Sequence, residues 1–254
     1  MSAGFIVAGT DTGVGKTVFA AGLVLALGGR YWKPIQAGLD GETDGEAVRR
    51  LTADGDVEII NEVYRLKQFI SPHLAAARDG IEIDLARLSL PQNRKSPVLS
   101  TVAPQEQAAA DRSNIVALKP RARSGLTAVP GNGNTTTAPR PLVIEGAGGV
   151  MVPLNRQAMQ IDVFDSWALP VVVVARTSLG TINHTLLTIE ALRRRNIMIQ
   201  GVAFVGDANS EVEEDIASFG RVRRLGRLPW LHPLDAATLK RTFELSFRLE
   251  DFQQ

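Results

Sequence analysis

Gly9-Thr10-Asp11-Thr12-Gly13-Val14-Gly15-Lys16-Thr17 follows a short apolar run, F-I-V-A at 5–8, and precedes an Ala- and Leu-rich stretch at 18–27. Strand, glycine loop and helix in that order form the βα unit that cradles phosphate. Successive backbone N–H groups of the turn and the helix N-terminus point at the anion. The stretch ends as such a loop requires. Lys16 brings a point charge to the outer phosphates, and the Thr17 hydroxyl is suited to Mg²⁺. One feature departs from the usual G-x-x-x-x-G-K-[ST] spacing: position 10 is Thr10, and the glycine stands one residue early, at Gly9. An ordinary βα turn is the plainer reading. Gly13, Gly15, Lys16 and Thr17, all in register after a strand, argue against it.

Outward from this loop, the text alternates. Residues 31–35 read as a second strand, 141–144 (P-L-V-I) as a third, 170–175 (P-V-V-V-V-A) as a strand covered on both faces, and 199–205 as another. Residues 43–51, 84–90 and 183–195 read as helices, and residues 227–230 precede a polar turn and a C-terminal helix. Alternating strands and helices with short connections predict a doubly wound, mostly parallel α/β sheet with helices on both faces, of the P-loop NTPase kind. The expected organisation is one domain over residues 1–254, interrupted at about 92–140. That interruption carries Pro97, Pro104, Pro120, Pro130 and Pro139 and no aromatic residue. It reads as a disordered insertion, with a short helix conceivable at 105–118. Its seven basic residues (Arg94, Lys95, Arg112, Lys119, Arg121, Arg123, Arg140) face two acidic ones (Glu106, Asp111), which raises a nucleic-acid arm. Without aromatic side chains to stack on bases, that idea is weak.

Composition removes other classes. The chain has 254 residues, 44% of them apolar, and its 28 basic and 27 acidic residues leave a net charge of +1 that favours no particular partner. There is no cysteine, hence no disulfide framework, thiol nucleophile or Cys-bound zinc. This suits a reducing cytoplasm. No apolar run reaches 18 residues and the first residues lack a signal peptide's basic start, so a cytoplasmic protein without a membrane or nucleic-acid partner is expected.

The remaining candidates lie at strand ends. Glu145 closes an apolar strand and opens Gly146-Ala147-Gly148-Gly149. A carboxylate at that edge, beside a Thr-bound Mg²⁺, is a natural metal ligand, although an exposed strand-end acid is the bland alternative. Asp44, in G-E-T-D-G-E-A-V, reads as a helix cap or a partner of the helix dipole. Lys33, in W-K-P-I-Q-A-G, would stabilise transferring phosphoryl charge if buried, and would otherwise be solvated. Ser71 and His73 sit where a turn becomes a helix, and His73 is a cap or a substrate contact. Residues 178–183 (S-L-G-T-I-N), with Leu179, Gly180 and Asn183, follow the strand at 171–175 and open another helix; a plain helix N-terminus is the simpler reading, and amides that hold an anion such as a carboxylate are the functional one.

Taken in order, G-T-D-T-G-V-G-K-T, W-K-P-I-Q-A-G, I-S-P-H-L-A-A, V-I-E-G-A-G-G, S-L-G-T-I-N-H and L-P-W-L resemble the dethiobiotin synthetases of biotin biosynthesis. The family shares the early glycine of the loop. The resemblance implies a homodimeric ligase whose substrates are 7,8-diaminopelargonic acid, CO₂ from bicarbonate, and MgATP. By motif, Gly13, Val14, Gly15, Lys16, Thr17 and Val18 would hold the phosphates. Lys16, Lys33 and Thr12 would serve the carbamate and the transferring group. Thr17, Asp44 and Glu145 would hold Mg²⁺, and Glu145, Gly146, Ala147 and Gly148 would line the phosphate and substrate site. Gly206, Asp207, Pro229, Trp230 and Leu231 would flank the adenine. Ala37, Ser71 and His73 would meet the substrate, and Leu179, Gly180 and Asn183 of a second subunit would bind its carboxylate. Three departures stand out: Ala37 where many members carry Ser or Thr, Phe204-Val205-Gly206-Asp207 in place of the more usual Asn-Asp pair at the adenine, and the long segment before the strand carrying Glu145. A ParA/MinD-type regulatory ATPase, or an inactive synthetase paralogue, are the competing readings. The former carries a signature lysine where this chain has Asp11 and Thr12.

Overall fold

The computed structural model describes residues 4–92 and 140–252. The expected insertion, and the helix conceivable at 105–118, therefore lie outside the described residues. Only the two ends of the insertion, Gln92 and Arg140, are described. The Arg140 Nε donates to the Gly28 carbonyl at 2.9 Å, next to the turn that ends the first helix.

Seven parallel strands form the main sheet in the order β4-β2-β6-β1-β7-β8-β9. They are β1 (Gly4–Gly9), β2 (Arg30–Trp32), β4 (Glu58–Ile60), β6 (Leu142–Gly149), β7 (Val171–Arg176), β8 (Ile199–Val205) and β9 (Arg224–Leu228). Side-chain alternation sorts each central strand between two cores. Phe5 and Val7 of β1 and Val172 and Val174 of β7 pack toward α1 (Lys16–Leu27) and α7 (Ala236–Ser246). Ile6, Ala8, Val171 and Val173 face the opposite layer, with Phe164 and Trp167 of α4 (Gln160–Trp167) and Ile189 and Leu192 of α5 (Thr181–Arg194). Every residue from Val171 to Ala175 is fully buried, which is why this run shows no period of two in the sequence. The doubly wound α/β reading holds.

Two details depart from expectation. Residues 31–35 do not make one strand. Pro34 has no N–H for the ladder, so β2 stops at Trp32. Beyond it, β3 (Ile35–Ala37) pairs with β5 (Tyr64–Leu66) in a separate two-stranded sheet. The Pro34 carbonyl seals the junction by accepting from the Val63 and Tyr64 N–H groups at 2.8 and 3.0 Å. Residues 84–90 make no α-helix either, but a single 3₁₀ turn at Leu85–Leu88 capped by Asp84, with Pro91 close behind. The strands β4 and β5, and the helices α4 and α6 (Ser210–Gly220), have no counterpart in the sequence reading. Helix α1 begins at Lys16 and α5 at Thr181, each two residues before its expected start.

The chain leaves β1 toward β2 on one side of the sheet and leaves the neighbouring β6 toward β7 on the other, so the direction of travel reverses between these two strands. The crevice beyond the carboxyl ends of these strands is the usual ligand position in an open α/β sheet.

Candidate functional site

The loop after β1 takes its shape from glycine. Gly15 is the cap of α1 with φ 93°, a left-handed conformation that side-chain-bearing residues adopt at a cost. A Cβ there would also stand 2.7 Å from the Val205 side chain at the end of β8. The early glycine has its own reason. A Cβ on Gly9 would lie 2.7 Å from Lys16 Nζ and 2.8 Å from the Asp11 carbonyl. Lys16 folds back over this space and donates to that same carbonyl at 2.7 Å. The out-of-step glycine thus makes room for the lysine tail. Burial lowers the Lys16 pKa to about 8, with Glu145 the strongest opposing influence and the nearby Lys33 charge adding to the fall.

Opposite the loop, alternation along β2 and β6 sends Tyr31 and Val143 to the α1 face. Lys33 and Glu145, two residues further along each segment, end where α1 and α2 (Asp44–Leu51) begin. Lys33 Nζ lies 2.5 Å from Asp44 Oδ2 and 3.0 Å from Glu145 Oε1. The Thr17 hydroxyl is 2.7 Å from Asp44 Oδ1 and 2.9 Å from Glu145 Oε1. The Tyr31 phenol donates to the other oxygen, Glu145 Oε2, at 2.7 Å. Lys33 and Glu145 are both buried. Burial works to discharge Lys33, but the charges of Glu145 and Asp44 outweigh it and hold its pKa above the ordinary lysine value. Burial likewise opposes ionisation of Asp44, and the Lys33 charge with the Thr17 hydrogen bond keeps its pKa below the usual carboxylate range. The ammonium and the Asp44 carboxylate are therefore both charged around neutrality.

Asp44 owes its place to the helix behind it. Thr43 and Glu46 form a reciprocal capping box that fixes the first turn of α2, and Gln36 Oε1 accepts the Asp44 N–H at 3.3 Å. A second glutamine shapes the opposite wall. Buried Gln160, at the start of α4, accepts the Ala147 N–H at 2.5 Å and donates to the Gly149 carbonyl at 3.0 Å, holding at two points the small-residue end of β6 that runs on past Glu145. Tyr31, Gln36 and Gln160 escaped the sequence reading. The one legible signal was Gln36, a polar residue in an apolar run. The roles of the other two depend on contacts distant in sequence.

These walls enclose a cavity of about 530 Å³. One end is charged, with Lys16, Thr17, Lys33, Asp44 and Glu145, and the other is apolar, with Ile35, Ala37, Phe69, Ile70 and Val152. Of the other expected residues, Thr12, Gly13, Gly15, Val18, Ser71, Ala147 and Gly148 also line it. Val14 is a core residue, and Gly146 lies behind the wall against Gln160. His73 stays off the lining, its Nδ1 2.9 Å from Ser71 Oγ and its backbone N–H donating to the Pro153 carbonyl. Gly206 and the 229–231 stretch are separate from the cavity but adjacent to each other, since the Gly206 N–H donates to the Leu228 carbonyl at 3.0 Å. Asp207 and Trp230 are exposed there and Leu231 is half-buried. Leu179, Gly180 and Asn183 are exposed at the start of α5, Leu179 completely so.

Two carboxylates and a hydroxyl make a hard-oxygen donor set. No group of three or more His, Cys, Asp or Glu side chains suited to a metal occurs among the described residues. Carboxylate and hydroxyl oxygens are the donor type Mg²⁺ takes, with water and substrate phosphates completing its shell. No helix among the described residues is long and apolar enough to cross a membrane.

The family described as "AAA domain" matches residues 3–105 and 88–238. An ATP-dependent dethiobiotin synthetase of Rhodopseudomonas palustris (strain TIE-1) is 48% identical over 252 residues, which is 99% of this chain and 98% of that protein. Its counterpart in Bradyrhizobium diazoefficiens is 45% identical, with 99% of each chain covered. The one in Novosphingobium aromaticivorans is 46% identical, with 98% of each covered. Among solved structures, the MinC:MinD cell division protein complex of Aquifex aeolicus is similar at TM-score 0.49 and 12% identity, covering 94% of this chain and 85% of that one.

Proposed function

The chain belongs to the ATP-dependent dethiobiotin synthetase family, and on that premise we propose that it closes the ureido ring of dethiobiotin from 7,8-diaminopelargonic acid, CO₂ and ATP. The observation that carries the reading is Lys33, a buried, charged ammonium facing the phosphate loop from the next strand end but one. Such a charge is useful where negative charge develops on both a nucleophile and a phosphoryl group.

The two-ended cavity is consistent with the chemistry that this reading implies. One substrate amine adds to CO₂, losing a proton, and becomes a carbamate. A carbamate oxygen attacks the γ-phosphorus and ADP leaves. The second amine then attacks the carbamoyl carbon, phosphate departs with its oxygen, and the ring closes. The protein's part is placement and charge neutralisation. The amides of Gly13 to Val18 and the Lys16 ammonium hold the phosphates, Lys33 faces the carbamate and the transferring group, and Thr12 borders them. Thr17, Asp44 and Glu145 would hold Mg²⁺, which neutralises phosphate charge when bound. Ile35, Ala37, Ser71, Phe69 and Ile70 offer the substrate's methylene chain a mostly apolar wall. Ala37 adds no hydroxyl to it. Gly206, Asp207, Pro229, Trp230 and Leu231 form the adenine edge. Leu179, Gly180 and Asn183, exposed and outside this chain's own cavity, serve the carboxylate in the site of a second copy, so the working unit is a homodimer. The reaction runs in the cytoplasm in this reading.

The test is phosphate release by the purified protein with diaminopelargonate, bicarbonate and MgATP, with the ring product identified by mass. Release that ignores the diamine refutes the assignment. Nucleotide binding without turnover identifies an inactive paralogue instead.

A further inference from the structure

Tyr31 is fully buried, and its hydroxyl lies under the reacting edge rather than in it. The residue pairs with Val143 in the β2–β6 ladder, so it shares a face with Glu145 one step further along the neighbouring strand. Packing alone would be served by phenylalanine. A phenol in a dry core costs free energy unless its O–H finds an acceptor. Here the acceptor is Glu145 Oε2 at 2.7 Å.

Division of labour at the Glu145 carboxylate gives that bond its meaning. Oε1 faces Thr17 at 2.9 Å and Lys33 at 3.0 Å, on the cavity side, while Oε2 turns inward to Tyr31. The last torsion of a glutamate is broad and two-fold, so a buried carboxylate without a fixed partner can swing and exchange its oxygens. A donor on one oxygen removes that freedom. We propose that Tyr31 is a positioning residue, whose phenol pins Oε2 of Glu145 so that Oε1 is presented to the magnesium of the bound nucleotide. The inference rests on the reading of Glu145 as a metal ligand. It adds a residue two positions before Lys33 that touches neither nucleotide nor substrate. Partners that orient metal ligands contribute about 10- to 100-fold to metal affinity or activity.

The experiment uses Tyr31→Phe, which removes one oxygen and leaves the core filled. Mn²⁺ binding to the ADP complex is read by electron paramagnetic resonance, beside calorimetry of metal-free ADP and a thermal melt. The expected result is Mn²⁺ affinity lower by about tenfold or more, a matching rise in the Mg²⁺ concentration needed for half-maximal turnover, and unchanged metal-free ADP affinity. A purely structural role would leave the metal affinity alone. Glu145→Gln is the companion variant. If it weakens Mn²⁺ binding and Tyr31→Phe does not, the positioning role is overturned while Glu145 keeps its assignment. If neither variant alters Mn²⁺ binding, the metal reading of Glu145 falls and this inference falls with it. Equal loss of metal-free ADP and Mn²⁺ affinity in Tyr31→Phe also overturns it, because the damage is then general.

Discussion

Lys16→Met should stabilise the nucleotide-free protein near pH 7, and the advantage should vanish as pH rises toward 10. Burial lowers the Lys16 pKa from 10.5 to about 8 in the folded chain. Each pKa unit corresponds to about 1.4 kcal/mol, so holding this ammonium in place costs about 3 kcal/mol of folding free energy. The sign follows from proton counting. Below pH 8 both folded and unfolded chains carry the proton, and the whole penalty is present. Between 8 and 10.5 the unfolded chain keeps a proton that the folded chain has released, so wild-type stability rises with pH. Methionine keeps an apolar stem and carries no charge. Urea unfolding of both proteins at pH 7, 8, 9 and 10 measures the gap, and groups common to the two cancel. The gap should approach about 3 kcal/mol at pH 7 and close by about 1.4 kcal/mol per unit above pH 8. ATP should reverse the same shift, because phosphate charge favours the ammonium. Binding near pH 9 should then take up a proton, seen as a buffer-dependent heat in calorimetry. A stability gap that is constant with pH, or a methionine variant less stable at pH 7, would refute the argument.

Two further variants probe the walls of the site. Lys33→Ala removes the cation that pairs directly with both Asp44 and Glu145, leaving only the more distant Lys16 charge. Diamine-dependent phosphate release should fall by about 10²- to 10³-fold, and undiminished turnover would show that Lys33 has been given the wrong role. The same variant should lose stability toward the lower end of the roughly 3–5 kcal/mol for a broken buried pair, since the Asp44 side chain is 32% exposed; an unchanged urea midpoint would contradict this. Gln160→Leu keeps the volume at the start of α4 but releases the strand end after Glu145 at both points. Turnover should fall roughly tenfold or more while the melting temperature changes little, and normal kinetics would mean that the strand end holds its own shape.

Much of the site was written in short stretches. Gly15, Lys16 and Thr17 lie within one turn, so their common purpose is a local matter of backbone geometry. Glu145 followed by small residues is similarly local. The strand-edge argument joined Glu145 to Thr17, but Asp44 entered that group only through family resemblance, since nothing in the spacing brings a helix start to the same point. The strand at 31–35 was misread because its apolar pattern outweighed Pro34, which decides where the ladder stops. The helix read at 84–90 was a similar error, with Pro91 near its end and only one 3₁₀ turn formed.

The sequence by itself determined the alternation of strand and helix, the two-sided burial of β7 and the identity of the phosphate loop, because each rests on neighbours within a few residues. Only the tertiary structure decided that Lys33 bridges Asp44 and Glu145, and that Tyr31 and Gln160 brace the acid and the end of its strand. These are contacts between chain segments as far as 114 residues apart. Their partners are chosen by strand order and by the face on which each side chain emerges, and no local pattern of residues encodes that choice.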